Sequence, residues 1–595
     1  MNIFAAGSDG VVKMNHKSAA LLRGNLWPWL IIGLTVFIYG HSLSNGFIWD
    51  DADYLLFNPS LGSLKGLSSY WIPSDYFFAT PLTASLLWLE HQFWGLAPWG
   101  YHAISLAWHV LNALLLFQLI RRLASPLAGV VALLFAIHPI QVETVAWITE
   151  QKNLFCFFFF LLAFHAFLDF DSSRKKWDYA RTLLYFIAAL LCKSIAVCFV
   201  TVPLLYEWWK RGSVCKRNVL LTLSFLPAGA LSVMIPMRIE SFYSSPVLSK
   251  ILFPEKILLA GKNFFFYIKQ IVLPWQFSAV YPQWNIRIID WENWIFPVAV
   301  VVLYSVLFRY RQRLGRGPFA LLCFYGASIF PALGFFKVSL FSLTHASDHF
   351  SYLSVPPILF LLCSATQAIL PKIKILCGRG IGEPSASFMR SIAVLIVLYL
   401  SLISFRLTLN YKDDIVFFSQ LLHQYPESIF ANTHLGLAYE RKGFLEKAKQ
   451  IYLKGSFGVD FYTQASRYRD IARIFVIQKK PQEALFFLGK GQALRSRRGY
   501  LNDYYDYYLL GTARFHSGNF KEAAEAFRMG IAKAPDWVKN YEGLGASLMN
   551  LGDVPNAFKA FQEVCRLNPA DKNAKINLEY AKKILAKQDP RNGIS

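Results

Sequence analysis

The chain has 595 residues, of which 55% are hydrophobic and only 16% charged, with 52 Phe, 29 Tyr and 17 Trp. Soluble domains carry charge at about a quarter of their positions, so this composition excludes a wholly soluble or disordered protein and predicts a polytopic membrane protein. Sixty Lys and Arg against 37 Asp and Glu give a formal charge of +23, but the basic residues fall in clusters beside apolar runs, which argues against nucleic acid as a partner.

Residues 1–25 read as a cytoplasmic tail, with Lys13, Lys17 and Arg23 ahead of the first apolar run at Trp27 to Tyr39. An acidic loop follows that run without a small-residue cleavage site, so it is predicted to be a span and not a removable signal. Further runs that can supply the roughly 20 apolar residues of a span lie near 101–120, 125–142, 153–170, 218–237, 293–309, 318–336, 352–371 and 391–409. The stretch 182–208 is apolar throughout but holds Lys193 and Pro203. Basic clusters at Arg121/Arg122, Arg174 to Arg181, Lys210 to Arg217, Arg309 to Arg316 and Lys372 to Arg390 are cytoplasmic by the positive-inside rule. Both flanks of 182–208 are then inside, so it is expected to be broken and two-legged, giving about eleven crossings. Residues 255–274, with Lys256, Lys262 and Lys269, are predicted to form an amphipathic helix lying on the outer surface. Residues 26–410 thus form a membrane domain, 411–425 a linker, and 426–595 a polar helical domain facing outward. The eight cysteines include no CxxC pair, and neither a zinc site nor a disulfide framework is predicted.

In the polar domain Gly436, Gly443, Ala448 and Tyr452 share their spacing with Gly511, Gly518, Ala523 and Phe527, and with Gly545, Gly552, Ala557 and Phe561. Pro535 and Pro569 close the last two units, and a weaker unit surrounds Ala472 and Ala484. A period near 34 residues with small residues where paired helices touch is the tetratricopeptide signature. Stacked pairs leave a concave groove, so a peptide or protein partner is expected there. The overall fold class is therefore all-α: a polytopic transmembrane helical domain followed by an α-solenoid.

Outside the basic clusters, almost every ionisable residue near a membrane boundary falls on the outward side. The first outer loop opens with Trp49-Asp50-Asp51, adjacent carboxylates suited to accepting a proton from a hydroxyl where desolvation raises their basicity. The next outer turn, His138-Pro139 to Asn153, brings His138, Glu143 and Lys152 together. Pro139 breaks the helix there and frees backbone groups. Lys193 sits in an apolar run and needs an anionic partner, for which a carboxylate in the bundle and a lipid phosphate both qualify. His345, Asp348, His349 and Tyr352 form a further outer cluster, whereas His102 and His109, on one helix, read as packing or hydrogen-bonding residues.

The Trp-Asp-Asp and Asn58-Pro59 loop, Pro81-Leu82-Thr83, Gly100-Tyr101-His102, His138-Pro139 to Asn153, Cys192-Lys193-Ser194, Leu273-Pro274 through Tyr281-Pro282, and Asp348 to Leu353 occur in this order. With the trailing repeats they resemble the transmembrane and tetratricopeptide-repeat glycosyltransferases, which are related to protein O-mannosyltransferases of the GT-C superfamily. The resemblance implies a GT-C-like membrane domain and a polyprenyl-phosphate-linked sugar donor used on the non-cytoplasmic face. It implies inverting transfer to an acceptor hydroxyl, a Ser or Thr of a protein, with Asp50 or else Asp51 as the base. Fixed positive charge from Lys152, Lys193 or His349 then favours the phosphate leaving group, and His138, Glu143 and Asp348 join them around the donor. Where many members carry Arg after the Asp of the last motif, this chain has His349. No cofactor is required on this scheme, although Asp50, Asp51 and Glu143 suit a divalent metal if they converge. The implied location is an integral, multi-pass one, in the inner (plasma) membrane if bacterial, with the first outer loop and the repeats on the non-cytoplasmic side. The bilayer, the lipid-linked donor and a polypeptide in the repeat groove are the expected partners. Competing readings are a glycan ligase or polymerase acting on saccharide acceptors, a non-enzymatic scaffold, and a transporter of lipid-linked substrates; the spacing of the runs shows no paired inverted segments for the last.

Overall fold

The computed structural model describes residues 26–72, 76–243, 251–336, 339–377, 386–455, 461–496 and 502–588. Lys13, Lys17, Arg23 and Arg379 lie outside the described residues. The described residues are helical, without strands, and the chain divides into two compact units, Met1–Leu421 and Leu422–Ser595.

The first unit opens with α1 (Trp27–Tyr39), prolonged by a 3-10 turn at Gly40–Ser44. After the first loop come α2 (Pro81–Trp94), α3 (Pro98–Arg122), α4 (Ala128–Ile137), the short α5 (Val142–Ala146) and α6 (Gln151–Ser173). Pro139 has the expected effect: α4 stops at Ile137, and the helical segment Pro139–Ala146 that follows is bent from it by 53°. The stretch predicted to be broken is broken at Lys193. Helix α7 (Lys176–Cys192) ends there, Lys193 is extended, a 3-10 segment runs Ser194–Thr201, and α8 (Val202–Arg211) completes the second leg.

The unit continues through α9 (Lys216–Tyr243), α10 (Phe253–Val272), α11 (Trp291–Arg309), α12 (Gly317–Ile329), α13 (Val355–Cys377), α14 (Ala386–Thr408) and α15 (Asp414–Gln424). Among the described residues five helical stretches are long and apolar enough to cross a membrane, or six if the bent pair at Pro139 is one span. Helix α10 corrects one expectation. It is amphipathic, but it does not lie free on a surface: Leu258, Phe264, Tyr267 and Ile271 are buried, Asn263 Nδ2 donates to Ala332 O and His345 O, and Tyr325 OH donates to Phe264 O. A face rich in aromatic and aliphatic side chains gains more by packing on protein than on a headgroup layer, and its polar Asn263 finds two carbonyls there. Residues 411–421, read as linker, pack in this unit as well, and the division between units falls inside α15.

The second unit is a stack of helix pairs: α16 (Ile429–Arg441) with α17 (Leu445–Lys454), α18 (Phe461–Ile477) with α19 (Pro481–Ser496), α20 (Tyr504–His516) with α21 (Phe520–Lys533), and α22 (Val538–Asn550) with α23 (Val554–Leu567), closed by α24 (Lys572–Gln588). The repeat spacing has a direct steric cause. Tyr452, Phe527 and Phe561 lie against Gly436, Gly511 and Gly545, leaving no room for a Cβ. The turns at Gly443, Gly518 and Gly552 have φ of +79°, +79° and +77°, which glycine adopts without steric cost. Neighbouring pairs are tied by buried polar side chains at equivalent places: Arg467 Nη2 donates to Ile429 O at 2.7 Å and Asn540 Nδ2 to Tyr504 O at 3.5 Å.

Candidate active site

The loops at 45–58, 138–150, 278–284 and 344–352 meet at one end of the first unit, around the start of α6. Glu150 is the centre of this meeting. Its Oε1 lies 2.8 Å from Lys152 Nζ and its Oε2 3.5 Å from Lys193 Nζ. Asn153, one turn into α6, donates to Glu150 Oε2 at 2.6 Å and accepts from Lys193 Nζ at 2.8 Å. The break at Lys193 makes this possible, because an extended residue turns its side chain away from the α7 face toward α6. Phe350 lies 5.6 Å beneath the Lys193 ammonium.

His349 is held between two carboxylates. Its N–H and Nδ1 each lie 3.0 Å from Glu143, which also accepts from Ser347 Oγ at 2.9 Å, and its Nε2 lies 3.9 Å from Glu150 Oε1. Asp348 points the other way and accepts from Tyr281 OH at 2.9 and 3.1 Å. Burial, together with the nearby Glu143, pushes the Asp348 carboxyl well above its usual range.

The adjacent carboxylates of the first loop have different environments. Asp51 is fully buried and accepts from Ile48 N–H at 3.0 Å and Thr149 N–H at 2.9 Å, so both oxygens fasten the loop to the turn before α6. Burial pushes it up to about 7, although those two donors favour its charged form. Asp50 is only partly buried, and its carboxylate takes no hydrogen bond from the described residues. Desolvation pushes it up to about 6; Lys152 works against that rise, while Glu150 and Asp53 add to it. Beside it Trp49 stacks on Trp147 with ring centroids 4.9 Å apart and planes 13° apart.

Seven of the eight residues singled out from the sequence therefore surround one centre. His138 does not join them: its Nε2 meets Ile271 O at 3.0 Å and ties the end of α4 to α10, while its Nδ1 accepts Ile140 N–H at 3.2 Å and caps its own turn. Glu150, Asn153 and Tyr281 belong to the centre without having been singled out. The available signal for Glu150 was a second carboxylate inside the His138 to Asn153 stretch, next to Lys152, at the threshold of an apolar run. Among the described residues no group of three or more His, Cys, Asp or Glu side chains is arranged to hold a metal ion. His109 has the hydrogen-bonding role expected of it, meeting Tyr352 OH at 2.8 Å and Ala136 O at 3.0 Å.

No family model matches the chain. It is similar to the protein O-mannosyl-transferase Tmtc1 of Drosophila melanogaster, 28% identical over 31% of this chain and 22% of that protein. It is similar also to the protein O-mannosyl-transferase TMTC3 of Homo sapiens, 27% identical over 30% of this chain and 21% of that protein. With TMTC3 of Mus musculus the similarity extends over 92% of this chain and 64% of that protein at 21% identity. The chain thus spans from about a fifth to about two thirds of the length of these curated relatives. Among solved structures it is similar to YrrB, described as a TPR protein with an unusual peptide-binding site, at 18% identity and a TM-score of 0.24 over 29% of this chain and 85% of that one. Yeast Tom70 matches at 11% identity and a TM-score of 0.27 over 82% of this chain and 97% of that one. The chain is a TMTC-like membrane protein carrying tetratricopeptide repeats.

Proposed function

We propose that this TMTC-like chain is an integral-membrane glycosyltransferase that moves a sugar, mannose by analogy with its relatives' names, from a polyprenyl phosphate to a Ser or Thr hydroxyl of a protein. The observation that carries the reading is the pairing of an unbonded, half-buried Asp50 with the Lys152–Glu150–Lys193 triad. A base must offer a free lone pair and a pKa near the working pH, and Asp50 fits both requirements while Asp51 is spent on the backbone. The acceptor oxygen attacks the anomeric carbon, the bond from that carbon to the phosphate oxygen breaks, and the hydroxyl proton passes to Asp50. The configuration inverts, and polyprenyl phosphate leaves as an anion that needs no general acid. The triad carries one net positive charge, so an entering phosphate adds the missing anion to a cluster already fixed in place. Glu143 and Tyr281 orient His349 and Asp348 at its edge.

On this reading the site opens on the non-cytoplasmic side, together with the repeats, which the placement of the Lys and Arg clusters supports. The repeats recruit the polypeptide acceptor by many weak contacts along their stacked first helices, raising the concentration of its hydroxyls at the site. The test is transfer by the purified protein from polyprenyl-phosphate mannose to Ser/Thr-containing peptides. Mass spectrometry of membrane and envelope glycoproteins with and without the protein accompanies it. Transfer that survives in a well-expressed Asp50→Asn variant rules out this mechanism, and saccharide products in place of glycoproteins redirect it to a glycan ligase.

A further inference from the structure

The segment that leaves α14 is built into the loop that carries Asp50. Gly46 N–H donates to Lys412 O at 2.7 Å, Asn45 Nδ2 reaches Thr408 O at 3.5 Å, and Trp49 N–H donates to Asp414 Oδ1 at 2.9 Å. The Trp49 ring packs against Phe417 with centroids 6.1 Å apart. Tyr411, buried in the same segment, comes within electrostatic reach of Glu143, Asp348 and Glu150.

Trp49 itself has a φ of +46°. A large side chain in the left-handed region is unfavourable and persists only where its surroundings hold it. Here the hold on the backbone is visible: the amide of the strained residue is the group that Asp414 fixes. Because Trp49 immediately precedes Asp50, its φ and ψ decide which way the Asp50 side chain leaves the turn. A return of Trp49 to a negative φ swings that carboxylate away from Lys152 and, at the same time, unstacks Trp49 from Trp147.

We infer that Asp414 is a positioning residue for transfer: it holds the left-handed turn at Trp49 and so aims Asp50. The piece of chain that leads from the membrane unit toward the repeats is by this account a working part of the catalytic loop. The inference rests on the reading of Asp50 as the base, and the experiment separates the two.

Two signals are measured on the full-length, detergent-purified protein. One is transfer from polyprenyl-phosphate mannose to a Ser/Thr peptide. The other is the near-ultraviolet circular dichroism of the stacked indoles, taken as the difference between the protein and its Trp147→Phe variant. Asp414→Ala is expected to lose the indole signal and to lower kcat by about 10²-fold, the effect of moving a reacting group by about 1 Å, with KM for the donor unchanged. Asp414→Asn keeps an acceptor oxygen for the Trp49 amide and recovers most of both signals. In a Trp49→Gly background the turn no longer needs holding, so adding Asp414→Ala changes the rate little further. If Asp414→Ala alone fails to fold, recovery of folding on adding Trp49→Gly supports the same strain, and failure of both variants overturns it. An Asp414→Ala protein that keeps the indole signal, or one that loses it yet turns over normally, also overturns the inference. Wild-type transfer by Asp50→Asn instead removes the reading of Asp50, and the indole signal then still decides whether Asp414 holds the turn.

Discussion

Helix α6 carries a charge cluster at each end, and the two are built on opposite principles. At its start Glu150 is 2% exposed and is shared by Lys152 and Lys193, themselves 17% and 14% exposed. At its far end Asp169, 38% exposed, takes Arg122 at 2.6 Å and Arg181 at 2.7 Å, while Asp171 takes Arg174 at 2.9 Å and Arg217 at 3.3 Å. From Glu150 to Asp169 the helix rises about 28 Å at 1.5 Å per residue, close to the hydrocarbon thickness of a bilayer. The Asp169 pairs contribute little to folding, since exposed pairs are worth about 0–1 kcal/mol, whereas Asp171 is 14% exposed beneath its arginines. The near cluster pays a desolvation cost that hydrophobic side chains would have avoided, which on the proposed reading reserves it for chemistry.

The largest expected effect sharpens this contrast at Asp50. Asp50→Asn should lower transfer by about 10²–10⁴-fold while raising the unfolding temperature at pH 7. The sign follows from linkage. Burial raises Asp50 from its ordinary 3.8 to about 6, so the folded protein binds this proton more tightly than the unfolded chain does. The resulting loss of stability develops as pH rises through that interval and is complete above it. Rates and thermal melts on one preparation check both halves. Next in size, Glu150→Ala leaves Lys193 and Lys152 facing each other without their carboxylate and should cost about 3–5 kcal/mol in chemical denaturation.

The pH profile gives a smaller effect of defined direction. If Asp50 must be ionised to accept the proton, the rate rises about tenfold between pH 5 and pH 7 and levels off above, as a single group near 6 requires. A rate that falls over this range would break the assignment. The smallest effect belongs to the far end of α6: Asp169→Asn should change stability by no more than about 1 kcal/mol and leave transfer as it was. A loss there as large as that of Glu150→Ala would erase the distinction between the two clusters.

The sequence by itself determined what depends on neighbours along the chain. Apolar length gave the helical stretches at 98–122, 148–173, 216–239, 291–309 and 387–411. Pro139 set a bend, and the glycine-to-aromatic spacing set the repeats, because a missing Cβ and an aromatic ring on the next helix are both written in the period. The pairing of a buried lysine with a carboxylate in the bundle was also legible as a need, since an ammonium in an apolar run must find an anion. The identity of the anion was not. Glu150 meets Lys193 across 43 positions of sequence, and only the break after α7 turns that lysine toward α6. The same holds for Asp50 and Asp51, ranked only by the family resemblance until Thr149, 98 positions away, occupies an oxygen of Asp51 and leaves the Asp50 carboxylate without a hydrogen bond from the described residues. It holds as well for His138, drawn out of the site by the carbonyl of Ile271, for α10, drawn off the surface by the carbonyls of Ala332 and His345, and for Asp414, whose contact with Trp49 gives the supposed linker a part in the loop. Hydropathy and spacing are properties a segment carries with it, whereas the partner of a buried polar atom is decided by whichever other segment packing brings within hydrogen-bonding distance.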